Sequence, residues 1–380
     1  MKHKYLFCTI SILTASALAL SNILLNFHFN SSAEETSFIL TEAETQTVLE
    51  ENNSAKHLNC GAISKLMSLL IIANDIETGK YSTDDILTAS QSVNGTKGSV
   101  IWLQPGDKLS VDELLKSVII GNANDAMTVL AEKSCQSVEK FTEEMNKKAF
   151  EIGLRDSAFM SPYGYYSKDE YTTSGDIAII CSELSKFNFL KKYFTTWRDF
   201  VKNGKTELVN ENTLSRTYKH HIGFKASHSE QSGYCIAEAA INESGEIYVA
   251  VVLNAPSEND SFSTAKRLLN KGLTEYKTTV PGFPDEFLVP VKVKNGVENV
   301  VEIKLKLHKN VAVKKNISEF TNVSVIPDYI SAPVRKGQKI GTVAFYSKNV
   351  LIYETDLIAK NDVDSFSFPF IFKKMLLKLL

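Results

Sequence analysis

The most continuous hydrophobic stretch of the chain covers residues 63–73, where Ser64, Lys65 and Ser68 are the only polar residues. The stretch contains neither Gly nor Pro and follows Gly61, so it predicts a buried helix. Burying an ammonium group is costly without a partner. Lys65 therefore either meets polar groups inside the protein or extends its side chain along the surface to water.

Strand-like segments occur on both sides of this helix. Segments 37–41 and 46–50, joined by four residues, predict a β-hairpin. Segments 233–237 and 247–253 predict two adjacent strands. Strands at both ends, with helices between them, predict an α/β domain whose sheet is closed by its own terminal strands.

Two further helices are predicted between these strands. Ser110 is a helix N-cap with Glu113 at the capping-box position. A longer helix is expected over 127–149. Its predicted core positions are Leu130, Phe141 and Met145.

The pattern changes after Tyr276, where three prolines between 281 and 290 mark a linker. Period-two alternation follows and predicts a small all-β domain. The apolar face of this alternation consists of Val301, Ile303, Leu305 and Leu307.

Both termini indicate export and membrane contact. A basic start precedes an apolar segment and a small-residue cleavage site at 31–33, which predicts a signal peptide; an uncleaved anchor is the alternative. Segment 366–380 combines phenylalanines, leucines and three lysines. As a helix it would be about 22 Å long, shorter than the roughly 30 Å hydrocarbon core. It predicts an interfacial membrane helix, and the alternative is a helix packed on the β-domain.

Composition and charge exclude several classes of function. The 380 residues carry a net charge of -2, which argues against nucleic acid as a partner. The chain has no Gly-x-Gly-x-x-Gly segment and no Walker-type loop, so nucleotide binding has no support. Cys60, Cys135, Cys181 and Cys235 contain no Cys-x-x-Cys pair, and no metal or other cofactor is implied.

The segment from Ala62 to Lys65, with its flanking sequence, resembles the serine D-alanyl-D-alanine carboxypeptidases, the low-molecular-mass penicillin-binding proteins. Segment 332–341 resembles their C-terminal β-domain, so the likeness covers nearly the whole exported chain. It implies a penicillin-binding-protein α/β domain followed by a small all-β domain. The expected divisions are a signal peptide at 1–33, the carboxypeptidase-like domain at 34–278, the β-domain at 279–364 and the anchor helix at 365–380.

In the family, the first motif is Ser-x-x-Lys, in which the serine attacks a peptidoglycan stem peptide and the lysine acts as general base. Lys65 is present, but Ala62 stands at the nucleophile position and has no hydroxyl. Ser64 is two positions further on, roughly 200° around the helix, and cannot replace it. Cys60 is a candidate nucleophile by its position, but a buried free cysteine is more commonly a small hydrophobic residue.

The other two motifs are altered as well. Asn122 and Asn124 match the second motif, Ser-x-Asn, with Asn124 keeping an amide for a substrate carbonyl. The third motif, Lys-Thr-Gly, matches Lys225, Ala226 and Ser227. Lys225 keeps the charge, Ala226 loses the hydroxyl that would hold a terminal carboxylate, and Ser227 adds a side chain where glycine gives the substrate room.

The resemblance also implies an oxyanion hole, formed by the backbone N–H groups of Ala62 and His228. Because all three motifs have lost a hydroxyl or a glycine, the favoured interpretation is a pseudoenzyme at the extracytoplasmic face of the membrane. Its expected partners are a peptidoglycan stem peptide or an envelope protein, and the membrane surface. The alternative is a working carboxypeptidase with unusual site residues.

Overall fold

The computed structural model describes residues 36–307, 309–370 and 372. The predicted signal peptide, and most of the predicted anchor helix, lie outside the described residues. Within the described ranges, no helix has the length and hydrophobicity that a membrane span requires.

The centre of the first domain is a five-stranded antiparallel sheet that contains the predicted hairpin. Its strands, in chain order, are β1 (Ser37–Glu42), β2 (Val48–Asn52), β7 (His221–Ser229), β8 (Gly233–Ile241) and β9 (Ile247–Ala255). Their order across the sheet is β2-β1-β9-β8-β7, so the first strand pairs with the last. The prediction that the terminal strands close the sheet is confirmed.

Four shorter strands form two separate ribbons, β3 with β4 and β5 with β6. They are β3 (Ile86–Thr88), β4 (Lys108–Ser110), β5 (Arg198–Val201) and β6 (Thr206–Val209).

Eight α-helices of the described chain surround the sheet. They are α1 (Lys65–Glu77), α2 (Val111–Ile119), α3 (Asn124–Cys135), α4 (Val138–Glu151), α5 (Ser174–Leu184), α6 (Lys191–Phe194), α7 (Leu214–Thr217) and α8 (Glu258–Glu275). Short 3-10 segments also occur, and Gly61–Ser64 leads directly into α1.

Strand β9 shows why this sheet is buried on both faces. Val249, Val251 and Leu253 belong to the core that contains α1 and α5, whereas Tyr248 and Val252 belong to the core that contains α8. Successive side chains of a strand point to opposite faces. An uninterrupted apolar strand therefore fits a sheet that is covered by helices on both sides.

The capping box at the start of α2 is confirmed: Ser110 Oγ accepts from the Glu113 backbone N–H, and the Glu113 carboxylate accepts from the Ser110 N–H. The single helix predicted over 127–149 is wrong. Gln136 has a left-handed backbone (φ 71°), and Ser137 caps a new helix by accepting from the Lys140 N–H, so α3 and α4 are separate. The three predicted core positions, Leu130, Phe141 and Met145, are fully buried.

The second domain is all-β, as the sequence predicts. Its strands are β10 (Tyr276–Thr279), β11 (Val291–Lys294), β12 (Val300–Val301), β13 (Ile303–Leu305), β14 (Val311–Lys314), β15 (Thr321–Val325), β16 (Tyr329–Ser331), β17 (Lys339–Ser347) and β18 (Val350–Ala359). They form sheets β12-β11-β16 and β13-β18-β17-β15, and β10 pairs with β14.

The predicted alternation from Val301 to Leu307 is correct only at its start. Val301 and Ile303 are buried, but Leu307 is 58% exposed. The reason is that the chain changes sheets between β12 and β13, and the strand ends at Leu305.

Candidate active site

A cleft of about 510 Å3 lies where the 3-10 segment Gly61–Ser64, the end of β7 and the start of α8 meet. Its walls are formed by Ala62, Ser99, Asn122, Glu211, Ala226, Ser227, His228, Tyr234, Cys235, Glu258, Ser261 and Phe262. Five of the eight sequence-predicted site residues are in this set. The other three, Lys65, Asn124 and Lys225, are buried.

Lys65 is the first residue of α1, and its side chain turns inward. It is 1% exposed, and its Nζ donates to the backbone oxygen of Asn122 (3.1 Å) and to Asn122 Oδ1 (2.7 Å). Burial and the charge of Lys225 hold the pKa of Lys65 well below its ordinary value, while Glu211 opposes this shift. Lys65 therefore has the environment of a base, but its hydrogen bonds go to an amide residue.

Asn122 links this lysine to the outer part of the cleft. Its backbone is left-handed (φ 57°), a conformation that asparagine adopts more readily than most residues. The Asn122 Nδ2 lies 3.5 Å from Glu211 Oε2. Asn122 thus accepts hydrogen bonds from Lys65 Nζ on one side, and its amide nitrogen lies near the Glu211 carboxylate on the other.

Ser64 faces away from the cleft. It is fully buried, and its hydroxyl donates to the Gly61 carbonyl at 3.1 Å. A Cβ atom on Gly164 would lie 2.6 Å from the Ser64 oxygen, so this serine is enclosed by the neighbouring loop. Glu170 is buried beside it. Desolvation raises the pKa of Glu170 to about 7, against the hydrogen bond that Glu170 Oε2 accepts from the Met160 N–H at 3.2 Å.

Asn124 is the first residue of α3 and lies next to the cleft wall, since its N–H donates to the Ser99 carbonyl at 2.7 Å. Its amide nitrogen donates to the Lys97 carbonyl at 2.8 Å, and Tyr165 Oη lies 3.4 Å away. The amide that would bind a substrate carbonyl is therefore already engaged. Among the described residues, Asn124 Oδ1 is a buried acceptor without a hydrogen-bond partner.

The opposite wall is the end of β7. Lys225 is 4% exposed, and its Nζ donates to the carbonyls of Val118 (3.3 Å) and Ile119 (3.2 Å). Desolvation lowers the pKa of Lys225 to about 8, with Glu211 opposing. Ala226 contributes a methyl group to the cleft wall.

Ser227 connects β7 to the 3-10 segment. Its hydroxyl donates to the Cys60 carbonyl at 3.0 Å, so this side chain is a structural link between the two segments. His228 is exposed and stacks on Tyr234, with ring centroids 4.0 Å apart. Ala62 and His228 both line the cleft, and the oxyanion role of their N–H groups stays a prediction.

The cysteines do not provide a replacement nucleophile. Cys60 is 2% exposed, and burial raises the pKa of its thiol well above the ordinary value. Burial also raises the pKa of Cys235 to about 11. Since the thiolate is the reactive form, both thiols are unreactive near neutral pH. In the part of the chain that the structure describes, His, Cys, Asp and Glu form no group suited to a metal ion.

Glu211 and Glu258 are the acidic cleft residues that the sequence analysis missed. Glu211 follows β6 in a loop, and Glu258 begins α8. Neither belongs to a motif, and both reach the cleft only through the fold. The polar segment 210–212 is a local signal that could have indicated a functional loop.

The comparisons with known proteins agree with this geometry. The sequence profile of the peptidase S11 D-alanyl-D-alanine carboxypeptidases matches residues 28–257. This chain belongs to the D-alanyl-D-alanine carboxypeptidase family. The profile of the penicillin-binding protein 5 C-terminal domain matches residues 276–365. The predicted family and the predicted fold class are therefore confirmed.

Individual carboxypeptidases match over most of their length. The chain is 29% identical to D-alanyl-D-alanine carboxypeptidase DacF of Bacillus subtilis, covering 88% of this chain and 87% of the relative. It is 26% identical to DacC of Escherichia coli, covering 89% and 86%. The crystal structure of penicillin binding protein 5 from Haemophilus influenzae has the same fold, with a TM-score of 0.78, 23% identity and coverage of 88% and 99%.

Proposed function

We propose that this chain is a catalytically silent carboxypeptidase homologue that holds a peptidoglycan stem peptide, or an envelope protein, without acyl transfer. The observation that carries the proposal is the methyl group of Ala62 at the cleft wall, and the motif resemblance assigns Ala62 to the position of the family's nucleophilic serine. A methyl group cannot attack a carbonyl. In a serine protease, loss of the nucleophile costs a factor on the order of 10⁶ in kcat.

The remaining hydroxyls of the cleft support this proposal. A nucleophile needs a base within about 2.6–3.2 Å. The hydrogen bonds of Lys65 go to Asn122, whereas Ser227 donates to the Cys60 carbonyl and Ser261 to the Glu258 carbonyl. Among the described residues, no serine or threonine hydroxyl is hydrogen-bonded to Lys65 Nζ.

The strand edge has also lost groups that would position a substrate. Ala226 offers no hydroxyl to a terminal carboxylate, and the Ser227 side chain occupies the space beside Cys60. Holding a scissile bond at attack distance is worth up to roughly 7–11 kcal/mol of the barrier. Both the attacking group and the positioning groups are therefore altered.

An active carboxypeptidase is the second candidate. It is favoured by the lowered pKa of Lys65, which burial and the charge of Lys225 shift in the direction that a general base needs. The catalytic activity named for DacF and DacC is a further reason to test it. In this alternative, another cleft hydroxyl, such as that of Ser99, would replace the missing nucleophile.

Labelling with a fluorescent penicillin decides between the two. The folded chain is incubated with the reagent, denatured and separated by electrophoresis, with DacF treated in parallel as the comparison. We expect no fluorescent band and an unchanged intact mass. A covalent adduct on Ser99, Ser64 or Cys60 would overturn the proposal and identify the substitute nucleophile.

We also propose export and peripheral attachment to the membrane. The basis is the signal-like segment 1–33 and the short phenylalanine- and lysine-bearing segment 365–380. Removing 365–380 from the signal-cleaved chain should move the protein from the membrane fraction to the soluble fraction. If the truncated chain still sediments with membranes, the anchor assignment is wrong.

A further inference from the structure

Residues 159–170 form a loop whose two ends are tied together. Just outside it, Ala158 and Tyr171 exchange backbone hydrogen bonds, at 2.9 Å from the Ala158 N–H and 3.2 Å from the Tyr171 N–H. Inside this bridge, Glu170 Oε2 accepts from the Met160 N–H at 3.2 Å. The loop has no helix or strand of its own. Its closed form therefore depends on the contacts at its ends and on those along its length.

The middle of the loop packs against the segment that carries Ala62. Gly164 has a left-handed backbone (φ 74°), and a Cβ atom on it would overlap the Gly61 carbonyl. Glycine makes this close approach possible. In the first turn of α1, the Ser68 hydroxyl donates to the Pro162 carbonyl at 3.0 Å. The loop thus contacts both the 3-10 segment before α1 and α1 itself.

The same loop reaches the second motif through two tyrosines. Tyr165 Oη accepts from the Lys97 N–H at 2.9 Å, donates to the Lys97 carbonyl at 2.7 Å, and lies 3.4 Å from Asn124 Nδ2. Tyr163 Oη and Thr128 Oγ1 are 2.8 Å apart, and Thr128 lies one turn along α3 from Asn124. A movement of the loop would therefore disturb the segments of the first and second motifs together.

Glu170 is a buried acid at the closed end of this loop. It is 5% exposed, and its Oε1 has no hydrogen-bond partner among the described residues. The adjacent Ser64 hydroxyl donates to the Gly61 carbonyl. A carboxylate that is buried with one N–H donor and no counter-charge is disfavoured against the neutral acid. Desolvation accordingly raises the pKa of Glu170 to about 7. The closed loop favours the protonated form.

The neighbouring ionisable groups do not neutralise a charge on Glu170. Burial is the main reason that the pKa of the Cys60 thiol is raised, and the charge of Glu170 raises it further, so this thiol is neutral near pH 7. His57 stacks on Tyr171 with ring centroids 4.5 Å apart, but its Nε2 lies 3.0 Å from Asp156 Oδ1. The histidine is therefore engaged with another carboxylate.

We propose that the protonation of Glu170 controls whether the loop 159–170 is closed on the two motif segments. In an open loop, water solvates the carboxylate, and the pKa returns towards its ordinary value of 4.5. The closed loop is then most stable below about pH 4.5 and loses stability as the pH rises to about 7, where the loss levels off. The cleft should be better ordered in mild acid, whichever ligand it takes.

Hydrogen exchange of the full chain from pH 5 to pH 8, measured by mass spectrometry, follows the opening of the loop. After correction for the pH dependence of exchange itself, protection of peptides covering 158–171 should fall about thirtyfold between pH 5 and pH 7. Peptides covering 60–66 should lose protection over the same range, because Gly164 packs on Gly61. Constant protection of 158–171 would overturn the proposal. Constant protection of 60–66 while the loop opens would overturn its link to the cleft.

Three variants assign the effect to one residue. Glu170→Gln imitates the protonated acid and should remove the fall in protection between pH 5 and pH 7. Asp169→Asn removes an exposed charge from the same loop, and His57→Gln removes the nearby histidine; both should behave as the wild type does. A wild-type response in Glu170→Gln would overturn the proposal, and so would a loss of the response in His57→Gln.

A measurement on the wild-type chain covers the case in which Glu170→Gln does not fold. The assigned carboxyl carbon of Glu170 is followed by NMR from pH 4 to pH 9. It should titrate near pH 7, whereas exposed glutamates titrate near the ordinary 4.5. Titration of Glu170 below about pH 5 would overturn the proposal, because the closed loop would then have no preference for the protonated form.

Discussion

Strand β7 carries two buried ionisable side chains four residues apart, His221 and Lys225, and their hydrogen-bond partners differ in charge. His221 is paired: its Nδ1 contacts Glu238 Oε1, and its Nε2 donates to the Phe194 carbonyl at 3.0 Å. The other oxygen of Glu238 accepts from Asn212 Nδ2 at 2.6 Å. Lys225, at the cleft, has backbone carbonyls as partners and a second buried lysine nearby.

The pKa shifts follow from these environments. Burial lowers the pKa of His221, but the charge and hydrogen bond of Glu238 and the Phe194 carbonyl outweigh it, so the pKa is raised. Desolvation lowers the pKa of Lys225 to about 8. Glu238 favours the charged form of His221, although burial raises the pKa of Glu238 itself, whereas burial disfavours the charged form of Lys225. Perturbed groups of the second kind concentrate at functional sites. The lowered pKa values of Lys65 and Lys225 are shifts of this second kind.

The largest effect, on acylation by penicillin, should come from restoring the family's motif residues in the cleft. We expect penicillin to label the quadruple variant Ala62→Ser, Asn122→Ser, Ala226→Thr and Ser227→Gly. This variant again has a nucleophile and substrate-positioning groups in the cleft, and it keeps Lys65. Ala62→Ser alone should give little or none. Acylation rates of the two variants are compared by labelling over time. Fast acylation of the single variant would show that the strand edge is still competent and that only the nucleophile was lost.

The second largest effect, on the free energy of unfolding, should come from breaking the His221–Glu238 pair. Glu238→Ala should lower the free energy of unfolding by about 3–5 kcal/mol, because it leaves a buried histidine without its counter-charge. Urea unfolding at pH 6 measures this. Glu243→Ala, an exposed glutamate on the turn after β8, should change stability by less than about 0.5 kcal/mol. A loss below about 1 kcal/mol for Glu238→Ala would contradict the stabilising role of the pair.

Removing the buried lysine Lys225 should raise the free energy of unfolding instead of lowering it. Lys225→Met replaces a desolvated ammonium with an apolar chain of similar length and should raise the free energy of unfolding by about 1–3 kcal/mol at pH 7. Lys219→Met, at an exposed position just before β7, provides the control and should be near neutral. If Lys225→Met destabilises the protein as Glu238→Ala does, the contrast between His221 and Lys225 does not hold.

The smallest expected effect is the pH dependence of the stability gained by Lys225→Met. The folded pKa of Lys225 is about 8, below the ordinary 10.5, so between these values the unfolded chain binds more protons and stability rises with pH. The advantage of Lys225→Met should be full below about pH 8 and disappear towards pH 10.5. Urea midpoints of wild type and variant from pH 7 to 10.5 measure it, and a constant difference would argue against the lowered pKa.

Features set by nearby residues could be predicted from the sequence. The capping box of Ser110 and Glu113 depends on residues three apart and was predicted correctly. The hairpin of β1 and β2 also depends on a short connection. The break between α3 and α4 was missed, although Ser137 is a good N-cap residue, because the hydrophobic period continues through it. Whether a regular pattern is one helix or two is decided by packing.

For the site, the sequence determined which residues stand at the three motif positions, and the family resemblance placed them together. That Lys65 Nζ lies 2.7 Å from Asn122 Oδ1, although the two residues are 57 positions apart in the sequence, was decided by the tertiary structure. The same holds for Glu211 and Glu258, which belong to no motif and reach the cleft from a loop and from the start of α8. The physical reason is that helix caps and turns form between neighbours in sequence, whereas the charge and pKa of a buried group depend on what distant segments bring beside it.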